Sequence, residues 1–250
     1  MQRIKIFCQV IVTVLWEKWV EFKFEWIKIT TAALISPLLY MIALGWGLGA
    51  VTDRPYIDFL VPGIIALTTM NTSLSAVAQP LNVQRIFERS FDQLIISPTP
   101  MPAYIVGQML GGSLRGIYSG VLILLLSVPF GAQIHLSMAF FAVMLLNGLA
   151  FSALGVTAAI VARTHGDIAR FSTYVILPMT FLCNTFFPLD RVPDWVEALI
   201  RILPLTHTSS SLRALAYGDA PNYLSMVVLA AYAAVFMMIA NVAVARRKNL

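Results

Sequence analysis

Charge is scarce in this chain. Asp, Glu, Lys and Arg make up 12% of its residues, against 59% hydrophobic ones. Soluble domains run near a quarter charged, so this composition leaves no room for a large soluble domain. Cysteine is sparse too: there are two, Cys8 and Cys183, neither in a CxxC pair. One precedes the first long apolar stretch and the other lies inside the fifth, which argues against a structural disulfide. The three histidines, His135, His165 and His207, fall in separate loops, and no metal-ligand spacing joins them. GxxxxGK[ST], HExxH and GxSxG are all missing. No serine has a histidine at matching depth on a facing stretch, and no pair of intramembrane acids is present. The chain therefore reads as a non-enzyme. It has no metal site, no bound cofactor of its own, no low-complexity tract and no convincing internal repeat.

Apolar sequence is what it has in abundance. Six stretches read Ile29–Leu48, Phe59–Gln79, Ala103–Pro129, Ser137–Ala162, Phe171–Phe187 and Leu224–Ala245. A helix needs about 20 apolar residues to cross ~30 Å of hydrocarbon, and only a helix satisfies its backbone there without an open edge. The fold class expected is an all-α membrane protein with six transmembrane helices, forming one domain over 1–250. The net charge is +5. Arg3, Lys5, Lys18, Lys23, Lys28, Arg85, Arg89, Arg163, Arg170, Arg246, Arg247 and Lys248 share one side of this topology. Arg54, Arg191, Arg201 and Arg213 share the other. The positive-inside rule then places both termini in the cytoplasm. A topogenic basic excess implies no nucleic-acid partner. Arg3 and Lys5 precede an apolar run, but Glu17-Lys18-Trp19 follows in place of a small-residue cleavage site, so this start is expected to be retained.

Between the stretches lie three amphipathic segments. Over 1–28, Leu15, Trp19, Phe22 and Trp26 recur at helical spacing, with Glu17, Glu21 and Glu25 on another stripe. That predicts a helix in the cytoplasmic interface. The segment 83–100 carries Ile86, Phe87, Phe91 and Leu94 on one face and Arg85, Glu88, Arg89 and Asp92 on the other. It is stopped by Ser97-Pro98-Thr99-Pro100. The expected helix, Arg85–Asp92, has the character of a docking element for a soluble partner. In the outer segment 188–222, Pro193-Asp194-Trp195 starts one short helix and Leu205–Tyr217 forms another. Both are too short to span and suit a re-entrant pair.

Within the stretches, Arg115 stands out. An ionisable group near mid-span defaults to a functional hypothesis, and no acidic residue is expected at its depth. It can meet an anionic headgroup or line a polar path, or be capped by amides such as Asn147. Asn71, Tyr118, Phe181, Phe186 and Phe187 complete a candidate substrate path. Gly107, Gly111, Gly112, Gly116 and Gly120 form small-xxx-small pairs expected to share one helix-packing face.

Several runs are familiar as a set. Glu88-Arg89-Ser90-Phe91-Asp92-Gln93-Leu94-Ile95-Ile96-Ser97-Pro98 with Tyr104–Gln108 resembles the signature of type-two ABC transporter permeases. Pro178–Leu189, Leu203–Thr208 leading to Leu212-Arg213, and Phe59–Ile64 resemble the same family. Within it the chain looks closest to the nodulation protein J branch, alongside drug and polysaccharide exporters. The resemblance implies six spans, an N-terminal interface helix, a coupling helix between spans two and three, and outer re-entrant helices between spans five and six. It implies a permease dimer, a homodimer here, working with ATP-binding cassette subunits that bind the ATP and Mg. ATPase coupling then falls to Arg85, Glu88, Arg89, Asp92, Ser97 and Pro98, and an outer gate to Phe186–Leu189. The function expected is the permease subunit of an ATP-driven exporter in a bacterial inner membrane. Its substrate would be amphipathic: a lipid-linked saccharide, a lipo-oligosaccharide or a hydrophobic drug. The alternative is an ion-coupled carrier or channel without an ATPase, which would call for intramembrane acids.

Overall fold

The computed structural model describes residues 2–45, 55–97, 99–186 and 193–248, and among these the regular elements are helices joined by turns and short loops, with no strand. In chain order the helices are α1 (Gln2–Tyr40), α2 (Tyr56–Ile86), α3 (Ser90–Ile96), α4 (Met101–Ser127), α5 (Met138–Val161), α6 (His165–Phe171), α7 (Leu177–Leu182), α8 (Asp194–Ile202), α9 (Pro204–Ala216) and α10 (Tyr223–Lys248). Five are long and apolar enough to cross a membrane: those at Arg3–Leu44, Tyr56–Ile86, Met101–Phe130, Met138–Val161 and Tyr223–Arg246.

The expected fifth span is the exception. Its described part, 171–186, forms the end of α6, a π-turn at Ser172–Ile176, and α7, which ends at Leu182 with Cys183 as its cap. Pro178 stands near the start of α7, and Asn184, just past its end, adopts a left-handed φ of 55°, outside any continuing right-handed helix. Two other boundaries move. Helix α2 runs past Gln79 to Ile86. Helix α1 runs without a break through residue 28, for 39 residues, or about 58 Å, nearly twice the hydrocarbon thickness.

The core centres on α2, which packs most extensively on α5 and α4. This seam is built from small and hydroxyl residues, as expected where lipid gives no hydrophobic drive between helices. Thr208 Oγ1 donates to Asn147 Oδ1 at 2.9 Å, and Asn147 Nδ2 donates to the Ala66 carbonyl at 3.1 Å. Ser152 Oγ donates to the Ser73 carbonyl at 3.3 Å. Asn147 is thus engaged with α2 and α9, and it does not cap Arg115.

The glycines of α4 divide between two faces instead of sharing one. A Cβ on Gly107 would meet Val14, and one on Gly111 would meet Lys18, both of α1. Cβ atoms on Gly112, Gly116 and Gly120 would instead strike Ser73, Thr69 and Ile65 of α2 and Ser152 and Met144 of α5. The step from Gly111 to Gly112 turns the helix by ~100°, which carries the row from one neighbour to the other.

Candidate functional site

At the end of the bundle that carries α3, the chain turns sharply. The Phe87 and Glu88 amides both donate to the Val83 carbonyl, at 2.9 and 3.2 Å, and Arg89 takes a left-handed φ of 54°. Helix α3 then folds back. Its Phe91 is buried against Tyr104 of α4, with ring centroids 6.2 Å apart. Gln108 Nε2 donates to Tyr104 Oη at 3.0 Å, and Gln84 Nε2 donates to Glu17 Oε1 at 2.9 Å. Helices α1, α2, α3 and α4 are therefore tied together at this end. Outward from the turn stand Phe87, 68% exposed, and Ile96, 86% exposed, with Glu88, Arg89 and Ser90 exposed between them. The helix expected over Arg85–Asp92 is displaced: it begins at Ser90 and holds Asp92. Ser97 closes it, its Oγ donating to the Leu94 carbonyl at 2.8 Å. Pro98 lies outside the described residues.

Arg85 is not on this surface. It sits in the last turn of α2, buried, with Nη1 donating to the Ile160 carbonyl at 2.6 Å and Nη2 donating to the Ala162 carbonyl. These carbonyls sit at the C-terminal end of α5, where a helix lacks backbone donors and favours a cation. Next to them, Thr164 and Asp167 form a capping box at the start of α6. The Asp167 carboxylate accepts from the Arg163 and Thr164 amides at 2.8 and 2.9 Å, which holds its pKa below the usual value.

The candidate substrate-path residues are distributed over three places. Asn71 lines a cleft of about 390 Å³ between α1, α2 and the α6–α7 segment. Ser36 and Tyr40 of α1, Thr68 and Thr72 of α2, and Ser172, Thr173 and Thr180 opposite give it hydroxyl walls without a charge. Thr68, Asn71 and Thr72 stand at i, i+3 and i+4 in an apolar stretch, and that spacing was the signal for this missed cluster. Phe186 is buried above, its ring 5.0 Å from Tyr40 and 5.7 Å from Phe181. Phe181 is half exposed, on the open side of α7 with Tyr174 and Leu177. Phe187, like the rest of the expected gate to Leu189, lies outside the described residues.

Arg115 and Tyr118 face away from that cleft, into a groove between α4 and α1. Arg115 Nη1 pairs with Glu21 Oε1 at 3.0 Å. An acidic residue is present at this depth after all, supplied by α1. Sequence reading placed Glu21 on a stripe apart from Trp19, Phe22 and Trp26, on a helix lying in the membrane interface, with no partner on α4. The structure turns those two tryptophans outward and the Val14, Lys18, Phe22 edge inward.

At the end of the bundle opposite α3, Arg213 of α9 was missed as a structural centre. It is buried, donates to the Phe59 carbonyl at 3.2 Å and the Asn184 carbonyl at 2.8 Å, and lies 3.6 Å above the Phe59 ring. Tyr56 Oη donates to the Phe186 carbonyl at 2.7 Å. Together these bonds pin the turn after α7 to that end of α2.

Known proteins share this sequence along most of its length. The inner membrane transport permease YadH of Escherichia coli K12 is 28% identical over 235 residues, 90% of each chain. Nodulation protein J of Rhizobium meliloti is 25% identical over 233 residues, 89% of each chain. That of Bradyrhizobium diazoefficiens is 25% identical over 236 residues, 90% of each chain. The family model described as ABC-2 type transporter matches residues 9–217, from the first helix to the end of α9. A bundle of long apolar helices with a folded-back turn at one end and two short helices at the other thus carries a sequence that belongs to the ABC-2 type transporter family, as a membrane transport permease.

Proposed function

We propose that this chain is the permease subunit of an ATP-driven exporter. It would act as a homodimer, with separate ATP-binding cassette subunits supplying ATP and Mg chemistry. The observation that carries this reading is the turn and helix at Phe87–Ile96. It presents two large apolar side chains and a charged rim to the outside of the bundle, while Phe91 roots it against Tyr104. A rooted element with exposed anchors suits a groove on a soluble motor. Glu88, Arg89, Asp92, Ser97 and Pro98 belong to that element, with Arg85 fixing its base. Movement there would be passed on through the Gln84, Tyr104 and Gln108 contacts to α2 and α4.

The path for cargo runs along the hydroxyl-walled cleft at Asn71 and out past Phe181, Phe186 and Phe187. The open side of α6–α7 is the face for the second permease copy, and α1 and the α6–α7 segment together make up the expected six spans. An uncharged polar cleft among apolar helices fits an amphipathic substrate: a lipid-linked saccharide, a lipo-oligosaccharide or a hydrophobic drug. The name of the YadH relative supports placement in an inner membrane. The excess of Lys and Arg at the α3 end supports cytoplasmic termini. Residues 1–28 are the interface helix in this reading, 83–100 the coupling segment and 188–222 the extracytoplasmic segment.

Affinity purification of the full chain from its own membranes should bring down an ATPase with a P-loop at one copy per permease. Arg89→Glu should reduce that recovery at least tenfold with the permease still folded. Undiminished recovery, or no ATPase at all, would remove the reading.

A further inference from the structure

The groove between α1 and α4 carries charge that the protein does not balance. It has a volume of about 300 Å³ and is lined by Lys18, Trp19, Phe22, Leu114, Arg115 and Tyr118 among others. Glu21 serves both cations, through Oε1 to Arg115 and Oε2 to Lys18, each at 3.0 Å. Two positive charges thus share one negative charge. The next carboxylate along α1, Glu17, is engaged with Gln84 and does not line the groove. Glu25 pairs with Lys28 at 3.5 Å, one turn further on. The Arg115 guanidinium is not used up either: Nε is buried and has no hydrogen-bond partner. Beside this cationic centre the walls are apolar and open. Trp19 is 56% exposed and Leu114 57% exposed, and Phe22 packs edge-on to Tyr118 with centroids 4.9 Å apart.

We propose that this groove binds an anionic phospholipid of the surrounding membrane. The lipid phosphate would lie on Arg115 with Lys18 behind it, and an acyl chain would lie along Trp19, Phe22 and Leu114. A guanidinium is the side chain best matched to phosphate, through its planar fork of donors. Basic pockets between membrane helices on the cytoplasmic side are a recurrent solution for anionic headgroups. One more negative charge would neutralise the site, and leaving it out would keep a net positive charge at the edge of hydrocarbon.

The depth is suitable. Helix α2 has 31 residues and the α4 helix with its terminal turn has 30, so each is about 45 Å long, ~15 Å more than the hydrocarbon needs. The polar, exposed end at Glu88, Arg89 and Ser90 is where that excess belongs. Arg115 lies about 21 Å along α4 from Met101, hence some 6 Å inside the hydrocarbon boundary, within the reach of a snorkelling arginine.

The test is lipid retention by the purified full chain, read by native mass spectrometry after equilibration with equimolar phosphatidylglycerol and phosphatidylcholine. The wild type should retain phosphatidylglycerol about tenfold over phosphatidylcholine, and Arg115→Gln should abolish the preference. Glu21→Gln removes the one carboxylate that pairs with the two cations among the described residues, so it should raise phosphatidylglycerol retention severalfold. Leu114→Gln, with every charge in place, should lower it. Thermal midpoints measured alongside report folding for each variant. A triad that only holds α1 to α4 would lower the midpoint in both charge variants and leave the lipid ratio unmoved. That result, or equal retention of both lipids by the wild type, would overturn the proposal. Displacement of the lipid by millimolar inorganic phosphate alone would assign the site to a free anion and overturn it equally.

Discussion

Gly116→Val should lower the stability of the folded permease sharply. A Cβ at this position would stand 2.0 Å from Ser73 Oγ and 2.9 Å from the Thr69 carbonyl. The hydroxyl can rotate away, but the carbonyl belongs to the backbone of α2 and cannot. Helices α4 and α2 would have to separate, next to the α2–α5 contact that carries the Asn147 and Ser152 hydrogen bonds. Overpacking of this kind costs about 3 kcal/mol, which lowers a thermal midpoint by roughly 6–12 °C in a domain of this size. The check is the fluorescence-detected size-exclusion profile and midpoint in detergent. Gly116→Ala combined with Ser73→Gly should recover part of the loss. Gly166→Ala is the control: its nearest atom would be Thr164 Oγ1 at 3.8 Å, so no change is expected.

The second large effect is expected at Arg85. Arg85→Met keeps much of the aliphatic stem but withdraws donors from the Ile160 and Ala162 carbonyls at the end of α5. Hydrogen bonds from a charged donor contribute about 1.5–3 kcal/mol each, and buried carbonyls left without them add a desolvation cost. A loss of about 3 kcal/mol follows, local to the junction of α2, α5 and the α3 turn. Hydrogen–deuterium exchange should show it as faster exchange over residues 83–97 and 158–168, with the opposite ends of the same helices unchanged. Arg85→Lys, a single point charge where a fork stood, should fall between the two. Uniform exchange in wild type and Arg85→Met would show that Arg85 does not hold the base of the turn.

The five long helices were readable from the length of their apolar runs, because membrane thickness leaves little choice. The two short helices at the end opposite α3 were readable as well. Proline is favoured in a first helical turn, so Pro193 marked the start of α8, and α9 begins at Pro204 beside the expected Leu205 start. Reading failed wherever a polar residue found its partner across the fold. Arg85 was read as the start of a separate surface helix, yet α2 continues through it because α5 offers Arg85 its carbonyls. Glu21 had no partner until Arg115 of α4 was placed beside it. The fifth stretch was long enough and apolar enough on paper. A π-turn at Ser172–Ile176 interrupts its α-helix, the left-handed Asn184 follows its end, and Arg213, distant in sequence, holds that end. Which neighbour each α4 glycine meets depends on partner helices that no single-helix pattern contains.

The central claim is that force reaches this bundle from outside the polypeptide, through the exposed Phe87–Ile96 element. The most direct measurement is uptake of a fluorescent lipo-oligosaccharide into inside-out proteoliposomes, with ATP outside. Vesicles would hold the chain alone, the chain with its co-purified ATPase, or that complex carrying Phe87→Glu and Ile96→Glu. The account predicts ATP-dependent accumulation by the wild-type complex only, with the double variant folded but at least tenfold slower. Uphill accumulation by the chain alone, or a double variant as fast as the wild type, would contradict it.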